Sequence, residues 1–219
     1  MSQPHPRNNS AIDASLAGLV RDEGSAGHGY VAKLQAALPL PTARDLCDAV
    51  HHICTLHGRH PGVIDHAADH ATGETGKWLS SAADGFAAER AYLTRLIVLA
   101  GPEPSTPGQA DSIQTVVAQA HALTMLAKSD RAGTALGAAV ALILDWRAIR
   151  GVLDAAARRL GMDPPPLNLP DENAARAILA ATADSAPVER AMQFGAQQLL
   201  LQHRGLWDLL EARRDARDS

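Results

Sequence analysis

The stretch Leu136–Leu160, LGAAVALILDWRAIRGVLDAAARRL, is the most apolar long segment of this 219-residue chain. Its first half has the pattern of a helix that is apolar on nearly all sides, and such a helix must be covered by other helices. Gly161 and the prolines that follow predict where this helix ends. Its apolar residues recur at alternating spacings of four and three, which keeps one stripe facing a partner. The stripe consists of Leu142, Trp146, Ile149, Leu153, Ala156 and Leu160.

Asp145 interrupts this apolar helix. With about 100° of rotation per residue, its side chain lies about 40° from the middle of the stripe. A carboxylate in that position is either buried and paired, or it acts as a ligand or a proton carrier. The role of Asp145 is therefore the first functional question that the sequence raises.

The rest of the chain is also helical in pattern. Alanine and leucine dominate, aromatic residues make up 3% of the chain, and no alternating strand pattern appears. This composition predicts an all-α protein. Apolar stripes joined by short linkers predict a bundle of four to five long helices with short N-terminal helices. Beyond the central helix, the long helical segments lie near 42–58, 77–100, 107–128 and 187–213.

The same patterns predict the domain organisation. We expect residues 1–41 to form a partly disordered segment with short helices that pack as appendages. Residues 42–214 are expected to form a single α-helical bundle domain, and residues 215–219 a flexible tail. Thr42 is expected to cap the first long helix, because Asp45 follows three residues later.

Charge and composition exclude several classes of function. The formal net charge is −4 with both signs interspersed, so no basic field for nucleic acid is expected. The arginine-dense end EARRDARDS is interpreted as a solvated helix end. No apolar run reaches the roughly 18 residues of a membrane span. Cys47 and Cys54 lie about 10.5 Å apart on one helix, too far for a mutual disulfide, which favours a reduced, cytoplasmic chain.

One set of polar residues is a candidate site. Glu89, Asp145 and His203 occupy core positions on three different helices, and His121 borders the core on a fourth. In an up-and-down bundle, the levels of these residues along the bundle axis agree within about 6 Å. Carboxylates and imidazoles that meet in a bundle core can hold a divalent transition metal.

Three interpretations of this set stay open. Its architecture resembles that of ferritin-like di-metal bundles, but the Glu-x-x-His pairs of those proteins are missing here. The second interpretation is a small-molecule or acid–base pocket. The third is a buried structural network in which an arginine neutralises the carboxylates and Tyr92 and His203 complete the hydrogen bonds. The candidate arginines are Arg90, Arg131, Arg147 and Arg150.

A histidine-rich stretch offers a second candidate metal site. His66 and His70 are four residues apart and share a helix face, a spacing that can chelate a metal. With His57 they form the second candidate cluster, although a solvated histidine surface explains the pattern equally simply. The glycine-containing stretch 24–30 follows no strand and is interpreted as a hinge. Six histidines lie within this stretch: His51, His52, His57, His60, His66 and His70.

No motif assigns an enzymatic reaction or a catalytic residue. The chain has neither a Gly-x-Ser-x-Gly sequence nor a phosphate-binding glycine loop. Its function is therefore unknown at this stage, and its apolar helix faces favour a structural or interaction protein that associates with itself or with a helical partner. The alternative is a metal-binding, ferritin-like helical bundle with Glu, Asp and His ligands in its core.

Overall fold

A computed structural model describes the backbone of residues 10–218 and the side chains of residues 15–218. Within this range the chain forms helices and no strand, which confirms the all-α prediction. A short 3₁₀ turn, Ser25–Gly27, joins the first two helices. The helices are α1 (Ser10–Glu23), α2 (Gly29–Leu34), α3 (Ala43–His57), α4 (Val63–His70), α5 (Gly73–Ala100), α6 (Gln109–Ala127), α7 (Thr134–Arg159), α8 (Glu172–Thr182) and α9 (Ala186–Asp218).

Helix α7 is the centre of the fold, as the sequence predicts. It contacts each of the other helices from α1 to α9. Residues 136–143 are all buried, so the half of α7 that is apolar on all sides is covered on all sides. Gly133 and Gly161 adopt positive φ values of 96° and 80° at its two ends, where a residue with a side chain would be strained. None of the described helices is long and apolar enough to span a membrane.

Two glycines allow α7 and α9 to approach each other closely. A Cβ atom on Gly137 would lie 2.0 Å from the backbone oxygen of Met192, and one on Gly195 would lie 2.0 Å from that of Thr134. Both distances are far below a van der Waals contact, so only glycine fits at either position. This approach holds α9 against the face of α7 that carries Asp145.

Several helix ends differ from the prediction. Thr42 caps α3 as expected and accepts a hydrogen bond from the Asp45 backbone at 3.0 Å. However, α5 begins at Gly73 rather than near residue 77, because Gly73 adopts a φ of +63° and Gly76 donates to the Thr72 carbonyl inside the first turn. Helix α6 begins at Gln109, after Gly108 in a left-handed conformation, and not at Pro107.

The last helix is longer than its apolar stripe indicates. Helix α9 continues to Asp218, and Arg213 and Arg217 bury their guanidinium groups against Asp45 and Asp48 of α3. The interpretation of this end as solvated is therefore wrong for both arginines. These arginines are buried because the buried Asp48 carboxylate requires a positive charge close by.

The N-terminal helices belong to the packed core and are not appendages. Leu16 of α1 and Tyr30 and Leu34 of α2 are almost completely buried. The disorder predicted within residues 1–41 falls in part on residues 1–9, which lie outside the described residues. The contacts of α1 and α2 bring the turn between them to α7, where the candidate site begins.

Candidate functional site

The Asp145 carboxylate binds the turn between α1 and α2. Its Oδ1 accepts the Ser25 backbone N–H at 2.7 Å, and its Oδ2 accepts the Ser25 hydroxyl at 2.5 Å. Both residues are at most 2% exposed. The approach requires Gly24, because a Cβ atom there would lie 2.2 Å from the Val20 carbonyl oxygen and 2.5 Å from Asp145 Oδ1. The stretch interpreted as a hinge is thus a fixed turn that binds a buried carboxylate.

A histidine of α9 completes the surroundings of Asp145. The Nδ1 atom of His203 lies 2.6 Å from Asp145 Oδ2, and His203 is fully buried. One turn later, Trp207 donates its indole N–H to the Ser25 hydroxyl at 2.8 Å. Ser25 therefore accepts from Trp207 and donates to Asp145, and among the described residues no imidazole forms a hydrogen bond with it. The arrangement therefore lacks the serine–histidine hydrogen bond of an activated serine nucleophile.

A second histidine extends the chain of hydrogen bonds. His57, the last residue of α3, places its Nε2 atom 2.8 Å from Nε2 of His203. Its ring stands edge-on to Trp146, with ring centres 5.6 Å apart. Burial lowers the pKa of His57 well below its usual value, and the nearby His203 and Arg90 lower it further. We refer to Ser25, Asp145, His203 and His57 as the relay.

Glu89 forms a separate ion pair beside the relay. Its Oε2 accepts the Trp146 indole N–H at 2.9 Å, and its Oε1 accepts from Arg150 at 2.7 Å. Arg150 also donates to Asp154 and to the Pro165 carbonyl. Tyr92 donates to Asp154 at 3.0 Å and does not contact Glu89. The surroundings of Glu89 therefore match the structural-network interpretation, with Arg150 as the neutralising arginine.

The two candidate metal sets are only partly brought together. Of the first set, Asp145 and His203 are in contact, Glu89 is paired with Arg150, and His121 is exposed on α6. Of the second set, His57 contacts His203, whereas the exposed His70 places Nδ1 against the His66 carbonyl. Neither set places three ligand atoms within 4.8 Å of one another among the described residues.

One other group of residues has three ligand atoms this close together, but arginines already pair with its carboxylates. Asp48, His52 and Glu103 each place a ligand atom within 4.8 Å of the others. Arg213 and Arg217 both donate to the Asp48 carboxylate, and Arg213 also donates to Glu103. Burial acts to raise the pKa of Asp48, but the hydrogen bonds from these arginines outweigh it and hold the pKa below its usual value. The negative charge here is balanced by arginine, which disfavours a cation.

Two adjoining cavities lie beside the His57 end of the relay, and we refer to them together as the cleft. They have volumes of about 260 and 40 Å³ and share Arg59, Ala120 and Thr124 in their walls. His121 lines the larger cavity, and His57 and His66 line the smaller one. The structure thus brings one histidine from each predicted metal set, His121 and His57, to the same cleft.

The comparison with known proteins identifies a family. The model of a family of unknown function, DUF6975, matches residues 20–218. The chain belongs to this family. No curated protein and no solved structure matches the chain. The DUF6975 match covers every residue of the relay, from Ser25 to His203, and both cavities, but it assigns no activity to them.

Sequence reasoning missed Ser25 and assigned His57 to a different set. Both omissions have the same cause, because each contact joins residues far apart in the chain. Ser25 is 120 residues from Asp145, and His57 is 146 residues from His203. One signal was available for Ser25, since a glycine-flanked turn exposes backbone N–H groups that can bind a carboxylate.

Proposed function

We propose that the relay is an acid–base site, in which His57 exchanges a proton with a molecule in the adjacent cleft. The observation that carries this proposal is the 2.8 Å contact between the Nε2 atoms of His57 and His203. It connects a cavity at one end to a buried carboxylate at the other.

The positions of the protons follow from the donors and acceptors. The Asp145 carboxylate can only accept, so Nδ1 of His203 carries a proton and donates to it. In the state that we propose, His203 carries no second proton. Nε2 of His203 is then a bare nitrogen that accepts the Nε2 proton of His57. As a result, His57 keeps its lone pair on Nδ1, and that atom has no hydrogen-bond partner among the described residues. Nδ1 is therefore the basic atom of the site.

Proton uptake at this atom can be shared along the relay. A proton added to Nδ1 of His57 allows its Nε2 proton to move to Nε2 of His203. The positive charge then lies beside the Asp145 carboxylate, 2.6 Å away, which stabilises it. Asp145 and His203 act as positioning residues, since they fix the tautomer of His57 and receive the charge.

The open end of the relay supports the role of a base. Burial keeps the His57 ring neutral at neutral pH, so its lone pair is available for a proton, and the same burial makes the ring a weak base. A buried network with a purely structural role needs no open end, whereas the relay ends at the wall of a cavity. This open end favours an acid–base site over a network that only stabilises the fold.

A histidine-selective ¹⁵N NMR titration tests this proposal. On acidification, we expect the ¹⁵N shifts of His57 to change with a midpoint below about 6.5. Asp145→Asn should move the midpoint of His57 further down, because the carboxylate no longer stabilises the charge. His70→Gln, at an exposed position, should leave it unchanged. A His57 midpoint at or above about 6.5, or an Asp145→Asn variant with an unchanged midpoint, would overturn the proposal.

An exposed apolar face supports a second candidate function, association with a second copy of the chain. Met125 of α6 and Phe194 of α9 are 59% and 45% exposed and line the same groove. Leu201, 46% exposed, lies two helical turns after Phe194 on the same face of α9. Light scattering on a dilution series is the test. A dimer that Phe194→Ser converts to a monomer would support this function, and a monomer at all concentrations would exclude it.

A further inference from the structure

The cleft has an unusual electrostatic lining. Among the described residues, neither an aspartate nor a glutamate lines either cavity. The titratable side chains in its walls are instead one arginine and three histidines. These are His57, Arg59, His66 and His121. A water-accessible cleft that carries positive and neutral imidazole or guanidinium groups, and no negative ones, selects for anions.

Arg59 is the permanent charge in this cleft. It lies in the walls of both cavities, is exposed, and has no partner among the described residues. The buried arginines of the fold differ, because Arg90, Arg150 and Arg213 are each paired with a carboxylate of the chain. The N–H donors of the Arg59 guanidinium therefore stay available to a bound molecule. This planar group can bind a carboxylate through two parallel hydrogen bonds.

The remaining walls are largely apolar, apart from Thr55 and Thr124. They present carbon surface on the side of the cleft that faces the core, which favours an organic anion with a small apolar body over an inorganic ion. The residues that provide this surface are Leu56, Phe86, Val117, Ala120 and Leu123. With cavities of about 260 and 40 Å³, the space admits a molecule of a few carbon atoms.

We infer that the cleft binds a small organic carboxylate in the larger cavity, with its carboxylate group held by Arg59 and His121. This inference rests on the proposed function in one respect, namely that His57 is the group that exchanges a proton with the bound molecule. Binding itself depends on Arg59 and the apolar walls, and these lie outside the relay.

The inference is tested with isobutyrate as the probe and isobutyramide as its neutral counterpart of nearly the same shape. Each is titrated into ¹⁵N-labelled protein, and amide shifts are followed. Isobutyrate should produce saturable shifts at residues of the two cavities, and isobutyramide should bind at least about tenfold more weakly, because a charge-assisted pair is lost. Equal binding of the two probes, or shifts confined to other surfaces, would overturn the inference.

Arg59→Gln provides the matching test on the protein side. Arg59 is exposed, so its replacement leaves the core intact, and the amide spectrum of the variant verifies this. Arg59→Gln should weaken isobutyrate binding about tenfold or more. Arg204→Gln, which removes an exposed arginine of α9 outside the cleft, should not change it. Equal affinity in Arg59→Gln and the parent would overturn the inference.

The outcome separates this inference from the proposed function. If Asp145→Asn lowers the His57 midpoint but isobutyrate does not bind, the carboxylate assignment is wrong and the acid–base site stands. If isobutyrate binds through Arg59 but Asp145→Asn leaves the His57 midpoint unchanged, the ligand class stands and the acid–base site is wrong.

Discussion

Replacement of Asp145 by alanine probes the buried half of the relay. The carboxylate accepts three hydrogen bonds, from the Ser25 backbone, the Ser25 hydroxyl and His203 Nδ1. In Asp145→Ala, these donors lose their acceptor in a region that water does not reach. Each buried donor without a partner costs about 1–3 kcal/mol. Rotation of the hydroxyl and partial collapse of the site relieve part of the total.

We therefore expect Asp145→Ala to lower the free energy of unfolding by about 3–6 kcal/mol, a large fraction of the 5–15 kcal/mol typical of a domain. Asp145→Asn keeps the size of the side chain, and its amide oxygen can accept the Ser25 backbone N–H. It should cost less, about 1–3 kcal/mol, because a smaller number of donors is stranded.

Urea denaturation followed by far-UV circular dichroism measures both values. Asp208→Ala is the matched control, because Asp208 is a largely exposed carboxylate of α9 that also contacts a histidine, His28. Its unfolding should be indistinguishable from that of the parent. If Asp145→Ala unfolds within about 1 kcal/mol of the parent, the three hydrogen bonds do not contribute as the structure implies.

Three further predictions concern residues around the relay. Glu89→Ala should lower stability by about 2–4 kcal/mol in urea denaturation, because it strands the buried Arg150 guanidinium and the Trp146 indole; an unchanged midpoint would show that this pair contributes nothing. Gly24→Ala should lower the free energy of unfolding by about 1–3 kcal/mol through overpacking, whereas Gly29→Ala should not, because a Cβ atom there meets nothing within 4 Å. Equal thermal midpoints for the two variants would contradict this prediction. Because the folded-state pKa of His57 is lowered, the unfolded chain binds its proton first, so the contribution of this ring to stability should fall as the pH decreases below about 6.5, by at most about 1.4 kcal/mol per pH unit. In His57→Gln the slope of stability against pH should be smaller, and an identical slope in denaturation series from pH 7 to 5 would refute this.

The fold could be predicted largely from the sequence because helical periodicity is a local property. The central position of α7, the cap at Thr42 and the C-terminal glycine at Gly161 all follow from short stretches of residues. The start of α5 at Gly73 could not be predicted, because a glycine in the sequence alone indicates a break in a helix. The burial of Arg217 also required knowledge of a distant partner, Asp45 of α3.

The candidate site was predicted in part for the same reason. The spacing of apolar residues indicates that Asp145 and His203 face the core, and both are buried there. Periodicity shows which residues share the buried face of a helix, but it does not show how that face is placed against the neighbouring helices. It therefore could not decide that Glu89 meets Arg150, that His57 meets His203, or that His121 lies at the surface.

The protonation state of His57 at neutral pH tests the central claim most directly. A long-range ¹H–¹⁵N correlation spectrum of histidine-labelled protein distinguishes a protonated ring nitrogen from a bare one. The account predicts a neutral His57 with its proton on Nε2 and a bare Nδ1, beside a His203 whose Nδ1 carries a proton. A His57 ring with its proton on Nδ1, or one that is fully protonated at neutral pH, would contradict the account, since His57 would then have no free lone pair on Nδ1 to accept a proton.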